Sequence, residues 1–178
     1  MNPNEPETGS IAILIEVIAE SAEWTNAVPG AESVCERAAA AAFGAVRPST
    51  KGAEASVILA DDAHITRLNA DYRGRHEPTD VLSFPMVGEG GMPVPPSPDQ
   101  PLLLGDIVVA FETSAAGAAA GEKPLADHLS HLVVHGMLHL CGYDHLAEAE
   151  AKEMERLESQ ILSGLGVADP YREHERLS

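Results

Sequence analysis

One stretch constrains this chain more than any other: His128-Leu-Ser-His131-Leu-Val-Val-His135-Gly-Met-Leu-His139-Leu-Cys-Gly142-Tyr-Asp144-His145, which holds five of the eight histidines. Wound as a helix, it stacks His131, His135 and His139 at intervals of four residues on one face, with His128 a turn earlier on the same side. Imidazoles four residues apart can reach one cation, each nitrogen about 2 Å from it. Gly142 suits the left-handed residue that ends a helix, so the chain can turn and carry His145 back toward the pair. Three nitrogens from a rigid helix and a turn leave a fourth coordination position open, which is the arrangement of a catalytic metal and not of a closed structural one. A single histidine on an apolar helix is ordinarily a core residue with a satisfied ring. Three in the pattern H-x-x-x-H-x-x-G-x-x-H make His135, His139 and His145 candidate ligands. His128 and His131 either orient that site, contact substrate, or are polar positions on a partly wet face, and Asp144 is a further candidate beside the ligands.

The rest of the composition sets bounds. At 178 residues with 44% hydrophobic residues, the chain is long enough for one domain with a single core. Only 4% is aromatic, so that core is expected to be Ala, Val, Leu and Ile, in helices on a sheet. Cys35 and Cys141 are far apart and form no C-x-x-C, which suits a reducing compartment. Cys141, two residues past His139, points away from the ligand face. The formal net charge of -17 argues against general nucleic-acid affinity. Yet residues 64–76 carry Arg67, Arg73 and Arg75 against Asp71 alone. Residues 1–10 are polar and acidic, read as a disordered leader and not as a signal peptide. The apolar run from Ile11 to Ala19 is too short to span a membrane and contains Glu16. A cytoplasmic protein with no membrane partner is expected.

Along the chain, Ile11 to Ile18 reads as a strand, Ala31 to Val46 as an alanine-rich helix after the Pro29-Gly30 turn, and Ala55 to Ala60 as a second strand. Asp61 or Asp62 caps a helix to about Tyr72, with Ile65, Leu68 and Tyr72 as its buried stripe. Thr79 to Phe84 is a third strand. Three Gly and five Pro between Val87 and Pro101 exclude a regular element there and mark a surface loop. Leu102 to Phe111 is a fourth strand, with Gly105 at a bulge or close backbone approach. An alanine-rich helix from Thr113 to Glu122 follows, then the histidine helix with Pro124 in its first turn. Leu146 to Leu165 closes the domain as an amphipathic helix packed through Met154, Leu157 and Ile161. From Asp169 to Ser178 the tail is expected to be loose. The reading is an α+β domain over residues 11–168, a four-stranded mixed sheet with helices packed against it.

Three segments together resemble a known family. HLVVHGMLHLCGYDH, the upstream LNADYRGRHEPTDVLSFP from Leu68 to Pro85, and LLGDIVVA from Leu103 to Ala110 look like the YbeY family of bacterial endoribonucleases, the rRNA maturation factors. The resemblance runs in matching order from about Ser56 to Leu165. It implies a fold related to the zinc-peptidase group, one Zn²⁺ held by His135, His139 and His145, and Arg73 as a functionally required arginine. It also implies cleavage of single-stranded RNA, a part in maturing the 3′ end of small-subunit ribosomal RNA and in ribosome quality control, and ribosomal proteins or small-subunit assembly factors as partners. The acidic leader and the extended 87–101 segment depart from the family pattern.

The residues themselves separate three chemistries. Zinc peptidases place a glutamate after the first histidine as general base, and here that position is Gly136; such a base contributes about 10²–10⁴-fold. Phosphodiester cleavage asks instead for a metal that activates water and polarises a phosphoryl oxygen, and for a guanidinium to hold the charge that builds up. Arg73 matches that clamp because its planar fork binds phosphate bidentately, unless it is a surface arginine paired with Asp71 or Glu77. His135 and His139 then serve as catalytic metal ligands. The remaining alternative is a ribosome-assembly binding protein whose zinc only fixes the last helices. Three imidazoles accept zinc, nickel or iron alike.

Overall fold

The computed structural model describes residues 13–47, 52–86 and 101–171. The expected leader, and the Pro/Gly-rich segment up to residue 100, lie outside them. Ten elements follow in order: β1 (Ile13–Ala19), α1 (Ala22–Ala27), α2 (Ala31–Val46), β2 (Ala53–Ala60), α3 (Asp62–Arg73), β3 (Val81–Pro85), β4 (Leu102–Ala110), α4 (Phe111–Ala120), α5 (Leu125–Leu140) and α6 (Glu148–Gly164). The four strands form one sheet in the order β1-β2-β4-β3; β1, β2 and β4 are parallel, and β3 runs antiparallel at the edge. This is the α+β mixed sheet expected from the sequence.

Alternation along β2 and β4 turns Ala53, Ala55, Val57, Leu59, Ile107 and Val109 toward one face. There α2 and α5 lie side by side. Of the alanines of α2, Ala31, Ala38, Ala39 and Ala42 are buried, and their small side chains let the helix pack closely. Cys35 is buried in the same face, where desolvation pushes its thiol up to about 12 and leaves it unreactive. On the opposite face α3 covers only part of the sheet, through Ile65 and Leu68 against Leu82, Val108 and Ile58.

Three details depart from expectation. Helix α1 has too few residues to show a period, yet it carries the completely buried Trp24. The Trp24 indole N–H donates to the carbonyls of Ala60 and Val109, at 3.0 and 3.3 Å, where β2 and β4 end. Phe111 starts α4 instead of finishing β4, and its ring meets Trp24 edge-on. Tyr72 is not part of the buried stripe of α3 but 71% exposed. By its last turn α3 has reached β3, the edge strand among the described residues, and Tyr72 lies beside Phe84 there, centroids 4.7 Å apart. The interior polar position is Asn69, whose amide donates to the Glu77 carbonyl and holds the following loop.

The irregularity expected at Gly105 is present. The β2–β4 register slips between Glu54 and Ala55, opposite Gly105, whose φ is +130°. A β-carbon there would fall 2.1 Å from the Phe84 carbonyl oxygen, so Gly105 lets β3 and β4 close together along the wall nearest the histidines. Gly105→Ala is expected to cost more than about 2 kcal/mol of stability, read as a lower urea midpoint with unchanged m-value. An unchanged midpoint would show that the edge pairing is dispensable.

Candidate metal centre

Helix α5 has two jobs. Leu129, Leu132, Val133, Met137 and Leu138 bury one side in the core, while the histidines occupy the other. The helix ends at Cys141, and Gly142, at φ +100°, turns the chain back; the Tyr143 N–H donates to the Leu138 carbonyl at 3.0 Å. His145 is thereby returned to the helix. Its ring centroid lies 5.7 Å from that of His135 and 5.0 Å from that of His139. One ring nitrogen from each of His135, His139 and His145 falls within 4.8 Å of the others.

Do these residues suit a metal? His139 Nδ1 donates to the Tyr143 carbonyl at 2.9 Å, and a carbonyl can only accept. His135 Nδ1 donates to the Glu158 carboxylate at 2.5 Å. Each ring therefore carries its proton on Nδ1, and the two Nε2 lone pairs face one another at 3.1 Å. Two lone pairs so placed repel unless a cation lies between them. Tetrahedral ligands about 2 Å from one ion would be about 3.3 Å apart, so the donor set fits. Burial, with the neighbouring His135, holds His139 below the usual imidazole range and favours the neutral, ligating form.

Gly136 explains why no glutamate follows the first histidine. A β-carbon there would lie 2.8 Å from Ile107 Cγ2 and 3.1 Å from Ser83 Oγ. The position faces the sheet and not the ligands, and the Ser83 hydroxyl donates to the Gly136 carbonyl. A general base of the peptidase kind has no room here.

The other sequence candidates fall in different places. Asp144 is exposed, accepts the His145 N–H at 2.7 Å, and does not join the three-nitrogen group. His131 Nε2 lies 3.2 Å from the second oxygen of Glu158. His128 is buried beneath α4, its Nε2 3.1 Å from where a β-carbon on Gly117 would be, and among the described residues neither ring nitrogen has a hydrogen-bond partner. Arg73 ends α3 and is exposed; among the described residues no carboxylate comes within 4 Å of it, so neither Asp71 nor Glu77 pairs with it. Arg73 and the three histidines line one groove of about 990 Å³, together with Tyr72, Phe84, Arg47 and Leu146. Cys141 is buried, and its carbonyl accepts from Arg47.

Glu158 was not legible as a site residue, because it stands in the apolar stripe of α6 between Met154 and Ile161. It is 1% exposed. Burial pushes its carboxyl up, but the bonds from His131, His135 and Tyr171 outweigh that and hold it at about 2. At the start of the tail, where residues 169–171 are described, the Tyr171 hydroxyl donates to Glu158, and Asp169 accepts from Ser159 and from the Tyr171 N–H.

Three imidazoles converging on a groove from a helix and the turn after it define a protein built around a candidate metal centre. The family model described as Endoribonuclease YbeY matches residues 19–166. A Paramagnetospirillum magneticum protein named Endoribonuclease YbeY is 51% identical over 164 residues, 92% of this chain and 99% of its own. Another of that name from Nitrobacter hamburgensis is 48% identical, over 88% of this chain and 82% of its own. The chain belongs to the YbeY endoribonuclease family, a family of nuclease hydrolases. A solution structure of a Thermotoga maritima protein shares the fold, with a TM-score of 0.54 and 24% identity over 85% of this chain and 91% of that one.

One consequence concerns His128. Burial, then the charges of Lys123 and His131, push its imidazole down to about 4 from 6.5, against a weaker opposing pull from Asp80. Between those values the unfolded chain takes up a proton that the folded chain refuses, so stability falls as pH drops from about 6.5 to 4. His128→Leu should flatten the pH dependence of unfolding in that window by roughly 3 kcal/mol. Equal slopes in denaturation curves of the two proteins would refute a neutral buried His128.

Proposed function

We propose that this chain is a zinc-dependent endoribonuclease of single-stranded RNA that matures the 3′ end of small-subunit ribosomal RNA and serves ribosome quality control in the cytoplasm. The observation that carries the reading is the convergence of three imidazoles in one groove with an arginine that, among the described residues, no carboxylate pairs. No described helix is long and apolar enough to cross a membrane.

His135, His139 and His145 would hold the ion, with the Tyr143 carbonyl and Glu158 fixing the rings of His139 and His135. When bound, zinc supplies Lewis acidity toward water and a phosphoryl oxygen. Arg73 supplies the counter-charge. Its exposed guanidinium can take two non-bridging oxygens of the scissile phosphate and bind them more tightly as negative charge builds up. Tyr72, exposed beside Phe84 and next to Arg73, offers a face on which an unpaired base can stack. A base held in a duplex cannot reach that face, which favours single strands. The charge of -17 disfavours long-range attraction to RNA, and it suits basic ribosomal proteins or assembly factors that would bring the substrate to the groove.

On an unpaired RNA oligonucleotide, Arg73→Ala should lower kcat by about 10²–10³-fold. Because the side chain is exposed, the melting temperature should not change. Tyr72→Ala should raise KM about tenfold and Tyr72→Phe should restore it. Cleavage unaffected by Arg73→Ala would remove the arginine from the chemistry.

A further inference from the structure

A carboxylate taken out of water is unfavourable unless every oxygen is satisfied, so a buried glutamate in the apolar stripe of a helix calls for an explanation. Glu158 spends one oxygen on His135 Nδ1, at 2.5 Å. Its other oxygen faces His131 Nε2 at 3.2 Å and accepts the Tyr171 hydroxyl. Tyr171 is itself located twice more: its ring meets His131 edge-on, centroids 5.7 Å apart, and its N–H donates to Asp169, which also accepts from Ser159 on α6 at 2.8 Å. The turn after α6 thus closes over Glu158 and screens it from solvent.

We propose that Glu158 and Tyr171 form a clamp that positions His135 for the metal, so that ion affinity at the centre depends on the C-terminal turn. The inference rests on the metal reading of the three histidines. Glu158 acts through His135: by accepting at Nδ1 it excludes the alternative tautomer, aims Nε2 at the other two ligands and raises the basicity of that nitrogen. Tyr171 acts through Glu158. It occupies the second oxygen together with His131 and keeps the carboxylate from rotating away. Hydrogen-bond partners of ligating histidines change metal affinity by about 10–100-fold.

The test is zinc affinity by competition with a chromophoric chelator, together with the visible spectrum of the cobalt-substituted protein. Wild type, Glu158→Gln, Tyr171→Phe and Met154→Ala are compared. Met154 is buried on the same helix but makes none of these hydrogen bonds, so its loss reports packing alone. Glu158→Gln should weaken zinc by about 10-fold or more and shift the cobalt bands, and Tyr171→Phe should weaken it several-fold. Met154→Ala should lower the melting temperature while leaving affinity within twofold of wild type. Equal affinity and equal spectra in wild type, Glu158→Gln and Tyr171→Phe would overturn the clamp and leave the metal reading intact. An equal loss in Met154→Ala and Glu158→Gln would also overturn it, since packing would then suffice. A wild-type protein that binds no zinc would overturn the metal reading and the clamp with it.

Discussion

Helix α5 lies so close to the sheet at Gly136 that one added carbon would come within 2.8 Å of Ile107. That approach governs much of the rest. It seals the apolar side of α5 into the core, beside the alanine face of α2, and leaves the histidine side to meet the groove and α6. It brings the edge strand β3 under the helix, through Ser83 and the Gly136 carbonyl. It also denies the helix any side chain at the position where a peptidase would place its base. One steric constraint therefore sets both the packing of the molecule and the hydrolytic chemistry that its centre can support.

The site is built in layers around that helix. The three imidazoles converge because α5 stops at Cys141 and Gly142 returns His145. The rings of His139 and His135 are oriented by two acceptors of different origin, the Tyr143 carbonyl in the turn and the Glu158 carboxylate on α6. The groove itself stands apart from the acidic surface. Among the described residues it is lined by Arg47 and Arg73 against Asp144 alone. A strongly acidic protein can in this way receive a phosphodiester at one place without general affinity for nucleic acid.

Periodicity and punctuation make much of the fold legible in the sequence. The strands, the span of α2, the bulge at Gly105 and the turn at Gly142 follow from alternation, alanine content and glycine placement. The close grouping of His135, His139 and His145 follows from helical spacing and that one turn. Other features obey long-range packing that spacing does not encode. Helix α1 exists because Trp24 reaches carbonyls at the ends of two strands. Tyr72 stays outside the core because the last turn of its helix lies at the edge strand, against Phe84. Glu158 stands at a position where the period calls for an apolar residue, and only the arrival of His131, His135 and Tyr171 from elsewhere makes burial of its charge tolerable. A charged residue inside an apolar stripe is the one sequence signal that could have marked it.

The most direct measurement is cleavage of an end-labelled single-stranded RNA by zinc-loaded protein beside His139→Ala prepared identically, with bound metal counted in both. The account predicts one zinc per wild-type chain and discrete cleavage products, with metal and activity lost together in the variant. Equal cleavage by His139→Ala would contradict it, because the chemistry would then lie outside the three-histidine centre.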